Sequence, residues 1–308
     1  MPGLTRRQTL FAGAALPFVS GFLASPAVAK AEKQGISSPL YSRFALGDFE
    51  VTTLLAGTMT ADKPQEIFGL NADSADFAAA SAAAFIPADK AQFFFTPTLV
   101  NTGAELVLFD TGMSPDGITA ALAAAGISPD QIDVVVLTHM HPDHIGGLQG
   151  AGGPVFANAR YVTGAIEHNH WSMAPSEVFT SNVVPLNDKL TFLDEGGAVA
   201  PGITALMAAG HTPGHMMFML ESAGQRLAIT ADTANHYIWS LAKPDWEVKF
   251  DADKAAAAAT RRTVFGMIAA DRIPFIGYHM PFPGLGYVEA AGDGFRYVPA
   301  SYQLIMAG

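Results

Sequence analysis

The pattern of apolar and polar positions along the chain predicts many short strands interrupted by a few helices. Residues 44–57 are rich in β-forming side chains and end at a glycine, which indicates a strand pair or a bent strand. Residues 93–103 and 105–112 predict the two strands of a hairpin. The alanine-rich stretches 71–84 and 255–270 are typical of helices.

A helix with clear boundary signals separates two of the apolar runs. Ser114 can cap this helix, Pro115 suits its first turn, and Gly126 can end it. The apolar stretch 133–139 follows and predicts a strand that is buried on both faces. Later segments also alternate apolar strands with helices, and no obvious linker separates them. We therefore expect one two-sheet domain over residues 30–308.

Metal-binding side chains stand at the ends of these apolar runs. The ends of strands are rigid positions that face a common edge, and imidazole and carboxylate groups are suitable ligands for zinc and neighbouring divalent metals. Any one of these histidines alone would more often be a hydrogen-bonded structural residue, so the hypothesis depends on the complete set. That set is His139, His141, Asp143, His144, His211, Asp232 and His279.

Composition restricts the class of protein. The chain has 308 residues, of which 50% are hydrophobic, and this is enough for a large core. Its formal net charge of −11 disfavours a nucleic-acid partner. Because there is no cysteine, the fold contains no disulfide and a metal site must use nitrogen and oxygen ligands.

The first residues have the features of an export signal. Arg6 and Arg7 precede an apolar stretch at 10–23, and a small-residue cleavage pattern ends at Ala29. We therefore expect a signal peptide over residues 1–29, of the twin-arginine type with an ordinary Sec signal as the alternative, and a periplasmic or secreted protein. The apolar stretch is too short for a good spanning helix, so no stable membrane insertion is expected after cleavage.

Four short motifs carry a resemblance to a known family. The segment 139–144 has the pattern HxHxDH, residues 210–215 read GHTPGH, and ADT and GYH stand at 231–233 and 277–279. In this order the motifs resemble those of the metallo-β-lactamase fold. The resemblance implies an α/β protein, a four-layer αββα sandwich in which two mixed β-sheets are flanked by helices.

The resemblance also implies a binuclear metal site. One metal would be held by His139, His141 and His211, a second by Asp143, His144 and His279, with Asp232 between the two. Zinc is the expected metal, and manganese, iron and cobalt are alternatives. Two metals about 3.5–4 Å apart can share a hydroxide that acts as the nucleophile.

Further roles follow for residues in and around this site. Asp143 or Asp232 could pass a proton to the leaving group. Asp110 could orient a ligand histidine, although a simple turn residue is the alternative. His215 is expected to brace the 211 loop through hydrogen bonds rather than to bind metal.

The substrate pocket is expected to be apolar. The segments 46–54 and 279–302 resemble the methyl parathion hydrolase branch, which is close to the N-acyl-homoserine lactonases. Lactonases commonly carry a tyrosine three residues after the bridging aspartate, whereas this chain has Asn235 there. Core packing is the alternative for the aromatic residues that we expect in the pocket. These are Phe93, Phe94, Phe95, Trp171 and Tyr237.

Together these features predict an exported, dinuclear metal-dependent hydrolase of esters, lactones or phosphotriesters that carry an apolar group. A metallo-β-lactamase and a non-catalytic metal-binding scaffold of the same fold are the alternatives. The expected partner is a small-molecule substrate and not a nucleic acid. Close relatives are often dimers, so a homodimer stays open.

Overall fold

The computed structural model describes residues 32–33 and 35–304. The chain divides into two units, Met1–Ser38 and Pro39–Gly308, and the elements below belong to the second. The signal peptide expected at residues 1–29 lies outside the described residues. Within the described ranges, no helix has the length and apolar character needed to cross a membrane.

The described part of this unit contains eighteen strands. They are β1 (Tyr41–Leu46), β2 (Phe49–Leu54), β3 (Gly57–Asp62), β4 (Lys90–Phe95), β5 (Thr98–Asn101), β6 (Leu106–Phe109), β7 (Val134–Leu137), β8 (Gln149–Gly150), β9 (Gly153–Pro154), β10 (Arg160–Gly164), β11 (Leu190–Leu193), β12 (Ala198–Ala200), β13 (Ile203–Met207), β14 (Met216–Ser222), β15 (Gln225–Ala231), β16 (Phe275–Gly277), β17 (Leu285–Ala291) and β18 (Gly294–Pro299).

Helices stand between many of these strands. The α-helices are α1 (Ser74–Ala83), α2 (Pro115–Ala124), α3 (Pro142–Ile145), α4 (Ala165–Met173), α5 (Glu177–Asn182) and α6 (Lys254–Asp271). Short 3-10 helices occur at Pro64–Glu66, Pro129–Gln131 and Val184–Lys189, and a π-helical segment at Tyr237–Ala242.

The strands form two mixed seven-stranded sheets. The first has the order β1-β2-β5-β6-β7-β10-β11, antiparallel from β1 to β6 and parallel from β6 to β11. The second runs from β12 to β18 in sequence order, and only its β15–β16 pair is parallel. Two small ribbons, β3–β4 and β8–β9, stand apart from these sheets.

The two sheets pack face to face, and helices cover their outer faces. Because neighbouring residues of a strand point to opposite faces, Val134 of β7 enters the core between the sheets while Val135 packs toward α2. In the inter-sheet core the rings of Phe109 and Phe218 lie 5.0 Å apart. Phe265 of α6 packs on the outer face of the second sheet. This is the four-layer αββα sandwich that the motifs implied.

Most predicted elements are present, including the β1–β2 strand pair, the helices α1, α2 and α6, and the doubly buried strand β7. Ser114 caps α2 by accepting a hydrogen bond from the Gly117 N–H. One prediction was wrong, because residues 93–103 do not form one strand of a hairpin. The strand is interrupted before Pro97, which lacks an N–H for the ladder. Consequently β4 pairs with β3, and only β5 pairs with β6.

The inter-sheet core makes a direct stability prediction. Replacing Phe218, which is fully buried against Phe109, with alanine should lower the free energy of unfolding by about 3–5 kcal/mol. Phe85→Ala is the matched control, because Phe85 is 97% exposed and its replacement should change stability by less than about 0.5 kcal/mol. Denaturant unfolding measures both, and equal effects would contradict this account of the core.

Candidate metal site

The HxHxDH segment begins where β7 ends. Pro142 occupies the first position of the short helix α3, where its missing N–H costs nothing. The following glycines let this turn pack tightly against the loop after β6. A Cβ on Gly147 would lie 2.1 Å from the carbonyl oxygen of Thr111, so no larger residue fits without moving the backbone.

All seven predicted ligands meet at one edge of the sandwich. The first ligand group contains His139, His141 and His211, and the second ligand group contains Asp143, His144, Asp232 and His279. Within each group the ligand atoms lie within 4.8 Å of one another. They follow the strands β7, β13, β15 and β16, so the hypothesis that strand ends converge on one site agrees with the structure.

Asp232 lies between the two groups. Its Oδ2 is 3.3 Å from Nε2 of His211, 3.9 Å from Nε2 of His139 and 3.2 Å from Nε2 of His279. Its Oδ1 is 3.3 Å from Nε2 of His144. One carboxylate therefore adjoins ligands of both groups, which is the position that the resemblance assigned to a bridging residue.

Two atoms of this cluster indicate that it is built for an ion. Nε2 of His144 and Oδ1 of Asp232 are buried and lie 3.3 Å apart, but neither makes a well-aligned hydrogen bond within residues 32–33 and 35–304. A buried polar atom without a partner costs about 1–3 kcal/mol, so such atoms need a reason. Five imidazoles and two carboxylates are a donor set that suits divalent metals. The residues present thus fit a dinuclear metal centre.

Asp110 forms hydrogen bonds with residues at both ends of the segment 138–144, which contains the HxHxDH motif. Its Oδ2 lies 2.8 Å from Nδ1 of His144 and also accepts a hydrogen bond from Oγ1 of Thr138 at 2.9 Å. The backbone N–H of Thr138 donates to the other carboxylate oxygen. Thr138 in turn contacts Nδ1 of His139 at 3.1 Å. Asp110 therefore lies where it can orient a ligand histidine from each group.

His215 belongs to neither ligand group. Its Nε2 accepts a hydrogen bond from the backbone N–H of Asp232 at 3.1 Å, so its Nδ1 carries the proton and donates to the carbonyl oxygen of Ala208 at 3.0 Å. Burial, together with the positive charge of His211, lowers the pKa of His215 to about 3, which keeps the ring neutral as these bonds require. His215 lies where bracing of the 211 loop was expected.

A buried ion pair that the sequence reasoning missed lies behind His211. Asp251 Oδ1 is 2.9 Å from Nδ1 of His211, and Nη1 of Arg261 donates to Asp251 Oδ2 at 2.8 Å. Both charged side chains are buried. Arg261 lies in the alanine-rich helix α6, where nothing in the apolar pattern distinguishes it from an exposed arginine.

The charges of the cluster are divided unequally among the histidines. Burial opposes ionisation of Asp232, but His279 and His144 hold the pKa of its carboxyl well below the usual range. Burial also opposes protonation of the histidines, yet contacts with Asp232 raise the pKa of His211 to about 9 and that of His279 to about 10. For His141 burial dominates and lowers the pKa to about 3. In the metal-free site, protonated histidines therefore neutralise the buried carboxylates.

A cavity of about 250 Å³ opens onto both ligand groups, and we call it the metal-facing cavity. Its walls are mainly apolar, and no lysine or arginine is among its lining residues. They are Met59, Phe93, Phe95, Met113, His141, Pro142, Asp143, His211, Asp232, Phe250 and His279.

Only some of the expected pocket aromatics face this cavity. Phe93 and Phe95 line it, whereas Phe94 points to the other face of the β3–β4 ribbon because side chains alternate along a strand. Phe94 and Tyr237 line a second cavity of about 370 Å³ instead. The ring of Trp171 is placed edge-on to His141, with ring centres 5.8 Å apart.

Comparison with known proteins identifies the family. Residues 96–273 match the sequence profile of the Metallo-beta-lactamase superfamily. The chain belongs to this superfamily. Among curated relatives, an N-acyl homoserine lactonase of a Bacillus species is 28% identical over 107 residues, which is 35% of this chain and 40% of that protein. An uncharacterised Caenorhabditis elegans protein is 27% identical over 115 residues, 36% of this chain and 30% of its own length. The chain thus spans less than half the length of these relatives.

Solved structures match over a larger part of the chain. AidC, described as a dizinc quorum-quenching lactonase in complex with a product, superposes with a TM-score of 0.78 and 26% identity and covers 86% of this chain and 100% of its own. AbOPH, described as a hydrolase in the beta lactamase superfamily, has a TM-score of 0.80 and 24% identity and covers 87% and 100%. The second likeness, at this identity, concerns the fold alone.

The histidine pKa values predict that metal binding releases protons. His144, His211 and His279 have raised pKa values in the metal-free site, so they are protonated near neutral pH and must lose these protons to bind metal. Zinc titration calorimetry at about pH 7.5, in buffers of different ionisation enthalpy, should show release of about three protons per chain at saturation.

The same competition sets the sign of the pH dependence. Metal affinity should fall as the pH is lowered, because protons compete increasingly for these imidazoles below the raised pKa values. Release of less than about one proton, or an affinity that does not change with pH, would contradict the assigned charge states.

Proposed function

We propose that this superfamily member is a metal-dependent hydrolase of uncharged esters, lactones or phosphotriesters that carry an apolar group. The observation that carries the proposal is the pair of ligand groups, joined by Asp232, on the floor of an apolar cavity. Export through the twin-arginine route is part of the proposal and rests on Arg6 and Arg7.

The candidate ligands form two groups, and Asp232 of the second group also adjoins His139 and His211 of the first. Bound divalent ions, with zinc as the first candidate, would supply an activated water at neutral pH and polarise the carbonyl or phosphoryl oxygen of the substrate. The dizinc description of AidC supports zinc as the first ion to test.

The two acidic ligands differ in their access to the cavity. The side chain of Asp232 is 3% exposed and surrounded by histidines, and Asn235 Nδ2 donates to its Oδ2 at 2.9 Å. The side chain of Asp143 is 19% exposed, and the Tyr278 hydroxyl holds its backbone by donating to the Asp143 carbonyl oxygen. We therefore assign two linked steps to an Asp143 carboxylate oxygen: it accepts the proton that the attacking water loses and passes it to the leaving group. Asp232 is assigned a holding role.

The walls of the metal-facing cavity select the substrate class. Phe93, Phe95 and Phe250 present apolar surface to whatever approaches the ligands. Because the lining includes no lysine or arginine, a substrate carboxylate or phosphate monoester would lose its hydration without gaining an ion pair from the protein. Neutral substrates with an alkyl or aryl group fit these walls best.

The alternatives fit the geometry less well. Penicillin-type β-lactams carry a carboxylate, and the metal-facing cavity offers no basic side chain to receive it. A non-catalytic scaffold would not need a complete ligand set that opens into a cavity. Lactonases commonly carry a tyrosine at the position of Asn235, whose side chain here donates a hydrogen bond to Asp232. Because that tyrosine is missing, we do not favour lactones over aryl esters as substrates.

A small substrate panel tests the proposal. The zinc-loaded protein should hydrolyse at least one of an N-acyl homoserine lactone, an aryl ester and a paraoxon-type triester, and it should hydrolyse the β-lactam nitrocefin poorly. A chelator should abolish the activity and added zinc should restore it. Hydrolysis no faster than with the metal-free protein on every substrate would refute the enzyme assignment, and fast nitrocefin turnover would replace it with a β-lactamase.

The position of Asp232 generates a second test. Asp232→Asn removes the charge shared by both groups, so we expect metal content to fall from about two ions per chain to one or fewer and activity to fall more than about 100-fold. Elemental analysis and initial rates measure the two effects. Asp188→Asn is the matched control, because Asp188 is exposed on a 3-10 helix outside both ligand groups. Full activity in Asp232→Asn would rule out the joining role.

A further inference from the structure

Glu167 in helix α4 is a fully buried carboxylate that belongs to neither ligand group. Glutamate is rarely buried completely unless it is paired, and no lysine or arginine is among its hydrogen-bond partners in the described part of the chain. Its burial therefore requires other compensation.

Four donors supply that compensation. Oε1 accepts hydrogen bonds from the Met140 backbone N–H at 3.1 Å and from Nε1 of Trp171 at 2.7 Å. Oε2 accepts from the Thr212 hydroxyl at 2.7 Å and from the Gly214 backbone N–H at 3.0 Å. Because every partner is a donor, both oxygens act only as acceptors, as an ionised carboxylate does.

These donors belong to the two loops that carry the first ligand group. Met140 lies between the two histidines of the loop after β7, and Thr212 directly follows His211. The second loop packs closely on α4, since a Cβ on Gly214 would lie 2.1 Å from the Glu167 nitrogen. One side chain thus joins both segments that supply this group.

Trp171 connects Glu167 to the ring of His141. It lies one helical turn after Glu167, so its indole N–H reaches the carboxylate while its ring edge meets His141 at a centre distance of 5.8 Å. The second ligand group has a different support, since Asp110 and not Glu167 contacts His144.

We propose that Glu167 is a positioning residue of the first ligand group and joins its two loops. Its carboxylate sets the separation of the loop of His139 and His141 from the loop of His211, and it orients the Trp171 indole against His141. The proposal rests on the metal site of the proposed function but not on any hydrolytic activity. It requires that loss of the carboxylate weaken metal binding at the first ligand group selectively.

Glu167→Gln is the central variant, because it keeps the shape of the side chain. The glutamine amide offers one acceptor oxygen and turns an NH₂ group toward two of the four donors. Zinc affinity would be measured by chelator competition in two backgrounds of the full chain. His279→Ala disables the second ligand group and reports on the first, and His141→Ala does the reverse.

The expected result is a selective loss. Glu167→Gln should weaken zinc binding about 10–100-fold in the His279→Ala background and leave it within about threefold in the His141→Ala background. The tryptophan fluorescence of the metal-free Glu167→Gln protein should also shift as the Trp171 indole loses its partner. Glu177→Gln, on the exposed start of α5, is the matched control and should change none of these quantities.

A milder pair of variants covers the case in which Glu167→Gln does not fold. Thr212→Val removes one donor to the carboxylate and should weaken zinc at the first ligand group severalfold, whereas Thr212→Ser keeps the hydroxyl and should restore affinity. Equal losses at both groups, or unchanged affinity in folded Glu167→Gln or Thr212→Val protein, would overturn the proposal. Because zinc affinity is measured without substrate, an inactive protein would leave this result intact.

Discussion

The buried carboxylate of Asp232 imposes the arrangement of the site. A carboxylate without compensating charge is very costly inside a protein, so positive charge must surround it in every state of the site. Without metal the protonated rings of His211 and His279 provide that charge, and bound divalent ions would replace the protons. The same crowding of imidazoles around one acid therefore stabilises the metal-free chain and prepares it for metal.

This requirement explains why the site lies at strand ends. Inside a sheet, hydrogen bonds to neighbouring strands fix the direction of each side chain. The ligands lie after the ends of β7, β15 and β16, so their side chains can turn toward one another while the strands fix the positions of their backbones. The outer helices add a further level of support. Helix α6 brings Arg261 to the acid behind His211, and α4 brings Glu167 beneath both loops of the first ligand group. The helical layers thus reach the groups that contact the ligands.

The four-layer fold implied by the resemblance is confirmed, and the seven side chains named by the motifs lie together, because apolar runs and short motifs are local signals. Features that depend on long-range pairing were not accessible in this way. The alternation along residues 93–95 is visible in the sequence, but which face meets the metal-facing cavity depends on the pairing of β4 with β3. Glu167 and Arg261 look like ordinary charged residues of surface helices, and only tertiary packing shows that they are buried. Asp251 likewise precedes a helix with no marker of its contact with His211.

The separation of ligands from walls has a consequence for substrate choice. Met59, Met113 and Phe250 are 43%, 48% and 42% exposed, and each comes from a different segment at the edge of the metal-facing cavity. None of them is a ligand, so they can change without disturbing the metal centre. Exposed apolar side chains gathered at a cavity mouth gain free energy only when another apolar surface covers them. Under the proposed function the ligands would define the chemistry of the site, while the β3–β4 ribbon and the segments of Met113 and Phe250 would select the apolar group held beside it.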